Sequence, residues 1–254
     1  MARRATLIKQ VRQASENPVL VLDAGNTLFG QWIALQSQGK AMNAMGYDAM
    51  TVGYLDLTGG IDTLKQRAEE ADFPILSCNL ADADERSILP PYTILERDGL
   101  RFGIIGVTEP DAARELAKRN IAIQVLEPLE TVRRYLAEVK GRVDLVIVLS
   151  HLGLDQDKAL AQAVPGIDVI VGGRSRTLMR QPERVGQTVI VQMGYDGEWL
   201  GRLDLTFRKA AEPVVKSAQL EILFMRPEVP DAPDLAELVA DYKQRFPEPT
   251  PKAP

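Results

Sequence analysis

The chain has 254 residues, 45% of them hydrophobic and 26% charged, a balance that excludes a disordered, fibrous or disulfide-stapled protein. Its 30 Lys and Arg stand against 35 Asp and Glu, a net charge of −5, which leaves no basic excess for phosphate backbones and argues against a nucleic-acid partner. The strongest apolar run, Val143 to Leu149, is far shorter than the roughly 18 to 20 residues that cross a bilayer, so no membrane span is expected.

In chain order, Leu7, Ile8 and Val11 recur at helical spacing, and Pro18 to Leu22 reads as a buried strand ending on Asp23-Ala-Gly-Asn26. Trp32 to Met45 is helical up to Gly46, with Met42, Met45 and Met50 at core spacing, and Ala49 to Val52 is a short strand running into Gly53-Tyr-Leu-Asp56. Ile61 to Glu70 is a helix and Pro74 to Ser77 a strand. Tyr92 to Glu96 and Leu100 to Val107 make a hairpin around Asp98-Gly99. Helices follow at Asp111 to Arg119 and Leu129 to Val139. Val143 to Ser150 is the clearest buried strand, then comes His151-Leu-Gly, a helix through Leu160, and a strand Val169 to Val171 entering Gly172-Gly-Arg-Ser-Arg176. Thr188 to Gln192, Gly201 to Arg208 and Val214 to Leu223 read as antiparallel strands, with a turn at Asp196-Gly197. Residues 1–226 are expected to form one domain, 227–246 a linker and a closing helix packed on it, and 247–254 a loose proline-rich tail.

Four strands thus end in loops rich in Gly, Asn, Asp, His or Arg, and in open α/β sheets ligands gather at such carboxyl ends. Over nearly its whole length, Ala2 to about Phe207, the chain resembles the metallophosphoesterase domain of the 5′-nucleotidase family, within the calcineurin-like phosphoesterases. The residues that carry the likeness are Val19-Leu-Val-Leu-Asp-Ala-Gly25, Ala44-Met-Gly-Tyr-Asp-Ala49, Asp144-Leu-Val-Ile-Val-Leu-Ser-His-Leu-Gly-Leu154 and Gly166-Ile-Asp-Val-Ile-Val-Gly-Gly173. The resemblance implies a four-layer α/β/β/α sandwich.

It also implies a centre of two divalent cations that clamp a phosphate and generate the attacking hydroxide. The family's first motif, Asp-x-His, has no counterpart, since the chain starts at a helix that the family places after it. Gly-Asp, the source of the bridging carboxylate, reads Gly25-Asn26. The Asn and His of Gly-Asn-His-Glu are matched by Tyr54 and Leu55. The histidine after the strand is kept as His151, the only one in the chain, and Gly-His-x-His reads Gly173-Arg174-Ser175-Arg176. An amide lacks the charge to hold two dications, and guanidinium repels them. The site is therefore expected to bind no metal and to have no catalytic residue.

Three functions are compatible with this reading. The leading one is a catalytically inactive homologue acting as a structural or binding subunit. The others are a residual metal-dependent phosphohydrolase acting on nucleotides or other phosphoesters, and a metal-free phosphate or nucleotide receptor using Arg174 and Arg176. Against the last, the two arginines are expected to pair with local acids such as Asp56. Asp23 is expected to support rather than react, Asp155 and Asp157 to complement a helix dipole, and Cys78 to pack as a small hydrophobe. Absence of the first strand would leave a sheet edge for a protein partner or a second copy to cover. The start as written carries no secretory signal, so the chain reads as cytoplasmic, or as exported if a signal lies upstream.

Overall fold

The computed structural model describes residues 1–28, 37–82, 84–121, 123–208 and 214–245. Three helix-strand steps open the chain: α1 (Ala2–Ala14) with β1 (Leu22–Asp23), α2 (Ser37–Met45) with β2 (Ala49–Thr51), and α3 (Ile61–Glu70) with β3 (Ile75–Leu76). The strands pair in parallel, in the order β1-β2-β3, with Leu22 beside Ala49 and Met50 beside Ile75. A short antiparallel pair follows, β4 (Leu80–Ala81) with β7 (Gln124–Val125).

A second sheet holds β5 (Tyr92–Arg97), β6 (Leu100–Val107), β8 (Leu145–Ser150), β9 (Val169–Gly172), β10 (Glu183–Val185) and β11 (Thr188–Gln192), in the order β10-β11-β9-β8-β6-β5. Its four middle strands are parallel, and antiparallel β10 and β5 form its margins. The connecting helices are α4 (Asp111–Ala117), α5 (Pro128–Val139) and α6 (Leu154–Ala163). The long hairpin of β12 (Trp199–Arg208) and β13 (Val214–Phe224), then α7 (Pro233–Arg245), complete the chain. No helix among the described residues is long and apolar enough to cross a membrane.

The period-2 alternation of each strand sorts its side chains into three apolar layers. Met50 and Ile75 face the helices, packing with Ile8 of α1, Met42 and Met45 of α2, Leu64 of α3 and Leu235 of α7. Their neighbours Ala49 and Leu76 face the other way, meeting Ile104, Ile147, Leu149 and Val169 of the second sheet together with Leu203, Leu205 and Phe207 of β12. On the second sheet's far face, Val146, Val148 and Ile170 pack on Val132 and Leu136 of α5 and Leu160 of α6. Helices, sheet, sheet and helices are therefore four stacked layers, as expected from the resemblance. Each fully buried Leu or Val in them contributes about 2 kcal/mol. Cys78 lies in the third layer, 3% exposed, with burial pushing its thiol up to about 12.

Two expected strands differ from the structure. Of Pro18 to Leu22 only Leu22 is ladder-paired, because the Val21 N–H donates to the buried Asp48 carboxylate at 2.8 Å; Asp48 N–H returns a bond to Val21 O. Arg12 and Arg97 also hold that carboxylate, at 3.3 and 2.8 Å. The faces of residues 19–22 still alternate, Val19 and Val21 toward the helices, Leu20 and Leu22 between the sheets. The second correction is β11, which runs parallel to β9 and is buried at all five positions; only its pairing with β10 is antiparallel. The beginning of the helix expected from Trp32 and the tail from 247 onward lie outside the described residues.

Candidate functional site

The strand-end loops predicted to share a site do converge. After β1 the chain turns through Gly25 and Asn26, both at positive φ (94° and 58°). The positive φ costs little at glycine and is among the conformations asparagine tolerates best. After β2, Gly53 leads into a single 3-10 turn, Tyr54–Leu57. Between them His151, at the carboxyl end of β8 and 1% exposed, is gripped by glycines from three loops. A methyl group at Gly53 would collide with Asn26 Oδ1 and the imidazole; at Gly25 it would lie 3.0 Å from His151 Cδ2, and at Gly173 3.2 Å from the same atom. Glycine is required here for close approach.

The histidine's partner is a residue that the sequence reading passed over. Glu109, just beyond β6 and 0% exposed, faces His151 Nδ1 through Oε2 at 2.9 Å, and a carboxylate there assigns the proton to Nδ1. Its other oxygen accepts from the Tyr54 N–H at 3.1 Å, so Glu109 ties the loop of the first sheet to the histidine of the second. Next to Glu109, buried Thr108 bonds Asn79 Oδ1 through its N–H and Val52 O through its hydroxyl, each at 2.9 Å.

Asp56 is buried and accepts three backbone N–H bonds, from Asn26 at 2.7 Å, Leu28 at 2.5 Å and Gly53 at 2.9 Å. Burial nevertheless pushes it up to about 6, because desolvation outweighs the donors. Asn26 Oδ1 is itself taken, accepting from Leu55 N–H at 2.9 Å. Tyr54 and Leu55 thus meet the site through backbone amides, and the Tyr54 ring packs in the helix-side layer. Asp23 is bonded by Gly25 N–H and Thr27 Oγ1, both at 2.9 Å, and is raised chiefly by burial.

Asp155 and Asp157 both lie in the first turn of α6, as expected, but Asp157 is 0% exposed: it takes the Ser150 hydroxyl on one oxygen, and the other, which faces Gly172, has no partner among the described residues. Burial pushes it up to about 7. Asp155 alone remains at the surface. The pairing of an arginine with a local acid is present for Arg174, but the acid is Asp111 and neither arginine reaches Asp56. Arg174 bonds Asp111 at 2.7 Å and Leu152 O at 3.2 Å, while Arg176 lies over the Tyr195 ring at 5.6 Å. The two guanidiniums have different partners.

Among known proteins, the chain is 32% identical over 248 residues to the 5′-nucleotidase of Vibrio cholerae serotype O1, covering 82% of this chain and 45% of that relative. The crystal structure of a 5′-nucleotidase precursor from Thermus thermophilus superposes with a TM-score of 0.83 at 29% identity, over 96% of this chain and 52% of that one. This chain belongs to the 5′-nucleotidase-like phosphoesterases. The trifunctional nucleotide phosphoesterase protein YfkN of Bacillus subtilis is a further homologue, 27% identical over 288 residues that cover 96% of this chain and 20% of that protein. No family model matches. This 5′-nucleotidase-like chain spans about half or less of the length of these relatives.

The two-cation centre of such phosphoesterases does not fit the donors present. At the positions that the resemblance matches stand an amide whose oxygen is already bonded, two side chains with no metal-binding group in the cleft and two guanidiniums, which leaves His151, its Nδ1 on Glu109, as the single metal-binding side chain among them. Among the described residues no three His, Cys, Asp or Glu side chains converge on a cation-sized site.

Proposed function

We propose that this chain is a non-catalytic 5′-nucleotidase-like phosphoesterase that serves as a structural or binding subunit. The observation that carries the reading is the donor set at the converging loops: His151 is the single metal-binding side chain among the positions the resemblance matches, the Asn26 amide oxygen is taken by the Leu55 N–H, and Arg174 and Arg176 bring guanidiniums. An active phosphoesterase centre needs an open coordination position and a water-accessible route to the phosphorus. Here, among the described residues, one buried histidine stands without further ligands, which is too few to hold two cations. The residues that would polarise a phosphate or activate water are replaced by groups that hold the loops to one another.

The hydrolytic activity in the relatives' names is the competing reading. It is tested by incubating the purified chain with 5′-mononucleotides and an artificial phosphodiester in the presence of manganese or zinc. The expected rate equals that of the metal-containing buffer. Metal-dependent turnover that disappears in His151→Ala would overturn the proposal.

A further inference from the structure

Tyr195 and Phe224 are the exposed large apolar side chains among the described residues, at 43% and 45%, and both belong to one strip. Trp199 joins them: its ring meets Tyr195 edge-on at 5.7 Å, and in the β12-β13 ladder it stands directly opposite Phe224. An arginine flanks each end, Arg176 over Tyr195 at 5.6 Å and Arg226 over Phe224 at 5.3 Å. Neither forms an ion pair among the described residues, and neither do Asp196 and Glu198 of the intervening turn.

We propose that this strip is the face on which a second copy of the chain docks, related by a two-fold axis. Large aromatic groups and arginine are the composition of protein-binding hot spots, and strand pairing already holds two of the rings on one side of the hairpin. The charges select the partner. A purely acidic partner would meet Asp196 and Glu198, and a purely basic one would meet the arginines. A two-fold axis instead brings the cations of each copy to the acids of the other, because an isologous patch must be complementary to itself. The strip is continuous with the candidate site through Arg176, but the proposal does not depend on whether that site is catalytic.

The test is sedimentation equilibrium of the whole chain from low micromolar to sub-millimolar concentration, for the parent and for Tyr195→Ser, Phe224→Ser and Arg226→Glu. The parent is expected to reach twice the monomer mass, and each variant to raise the dissociation constant about tenfold or more, with the melting temperature of the dilute monomer unchanged. Because these side chains are half-exposed, their replacement leaves the apolar layers intact. A charge-swapped pair, Arg226→Glu mixed with Asp196→Arg plus Glu198→Arg, is expected to recover association that each lacks alone. A parent that stays monomeric throughout, or a dimer indifferent to all these changes, would overturn the proposal. Neither result bears on the phosphoesterase assays.

Discussion

The two sides of the cleft each bury a carboxylate, and they treat it differently. On the side of the first sheet, Asp56 gathers three backbone N–H groups, which fix the loops after β1 and β2. On the side of the second sheet, Asp157 has a single hydroxyl donor and, among the described residues, one oxygen without a partner, and it rises further, to about 7 against about 6. Desolvation is the leading cause at both, and Asp56 has three backbone donors to offset it where Asp157 has one hydroxyl. The first clamps two loops through their backbone amides, and the second is the more weakly supported carboxyl of the two. Glu109 bridges the two sides, one oxygen on Tyr54 and the other on His151.

The largest effect should come from removing the clamp. Asp56→Ala leaves three backbone donors unpaired, two of them buried, at about 1–3 kcal/mol each where buried, a loss on the order of 5 kcal/mol that rivals the stability of an ordinary domain. Urea denaturation should show a collapsed midpoint or a chain that does not fold. Asp56→Asn, which keeps one acceptor oxygen, should lose clearly less. Next comes Glu109→Ala, which breaks a buried pair and should cost about 4 kcal/mol, read in the same titration. A change below about 1 kcal/mol would mean that the bridge contributes little and that the cleft is held from the two sides separately.

The comparison sharpens with pH. Asp157 holds its proton more tightly folded than unfolded, so between the ordinary carboxyl value of 3.8 and about 7 the folded chain binds more protons. Its stabilising contribution is complete below that window, drains as pH rises through it, and is flat above. A shift of about three units corresponds to roughly 4 kcal/mol over the window at most, with Asp56 adding in the same direction up to about 6. Thermal melts at pH 5 and pH 7.5 should therefore show the parent losing more than Asp157→Asn. Equal losses would show that Asp157 does not hold its proton in the folded state.

Much of this architecture was legible in the sequence because periodicity reports burial. Ile61 to Glu70 forms the helix read from it, and the turn at Asp98-Gly99 makes the hairpin. The β11 orientation escaped because its neighbours alternate, although its unbroken apolar run is the signature of a strand buried on both faces. The two-residue strands β4 and β7 have no period to detect. Within the cleft, position in the chain indicated which loops meet but not which contacts their side chains make. Glu109 lies at a strand end like His151 and could have been found by the same rule. Asp157 was readable too, since Leu160 and Ala161 place it on the buried stripe of α6. The partner of Arg174 was not, because its pairing with Asp111 spans 63 residues and depends on how two loops fold over each other.

That contact gives the smallest effect. Arg174 and Asp111 are both well exposed, at 37% and 48% of their side chains, so solvent screens the pair and the long side chains lose rotamer freedom on forming it. Arg174→Ala should shift stability by no more than about 0.5 kcal/mol. It also discriminates a receptor from a sealed cleft. If Arg174 and Arg176 captured phosphate together, added phosphate would raise the parent's melting temperature in a saturable way, and Arg174→Ala would abolish the rise. With one guanidinium on Asp111 and the other on Tyr195, the expected curve is the shallow, unsaturating response of any folded protein to that salt, the same for parent and variant.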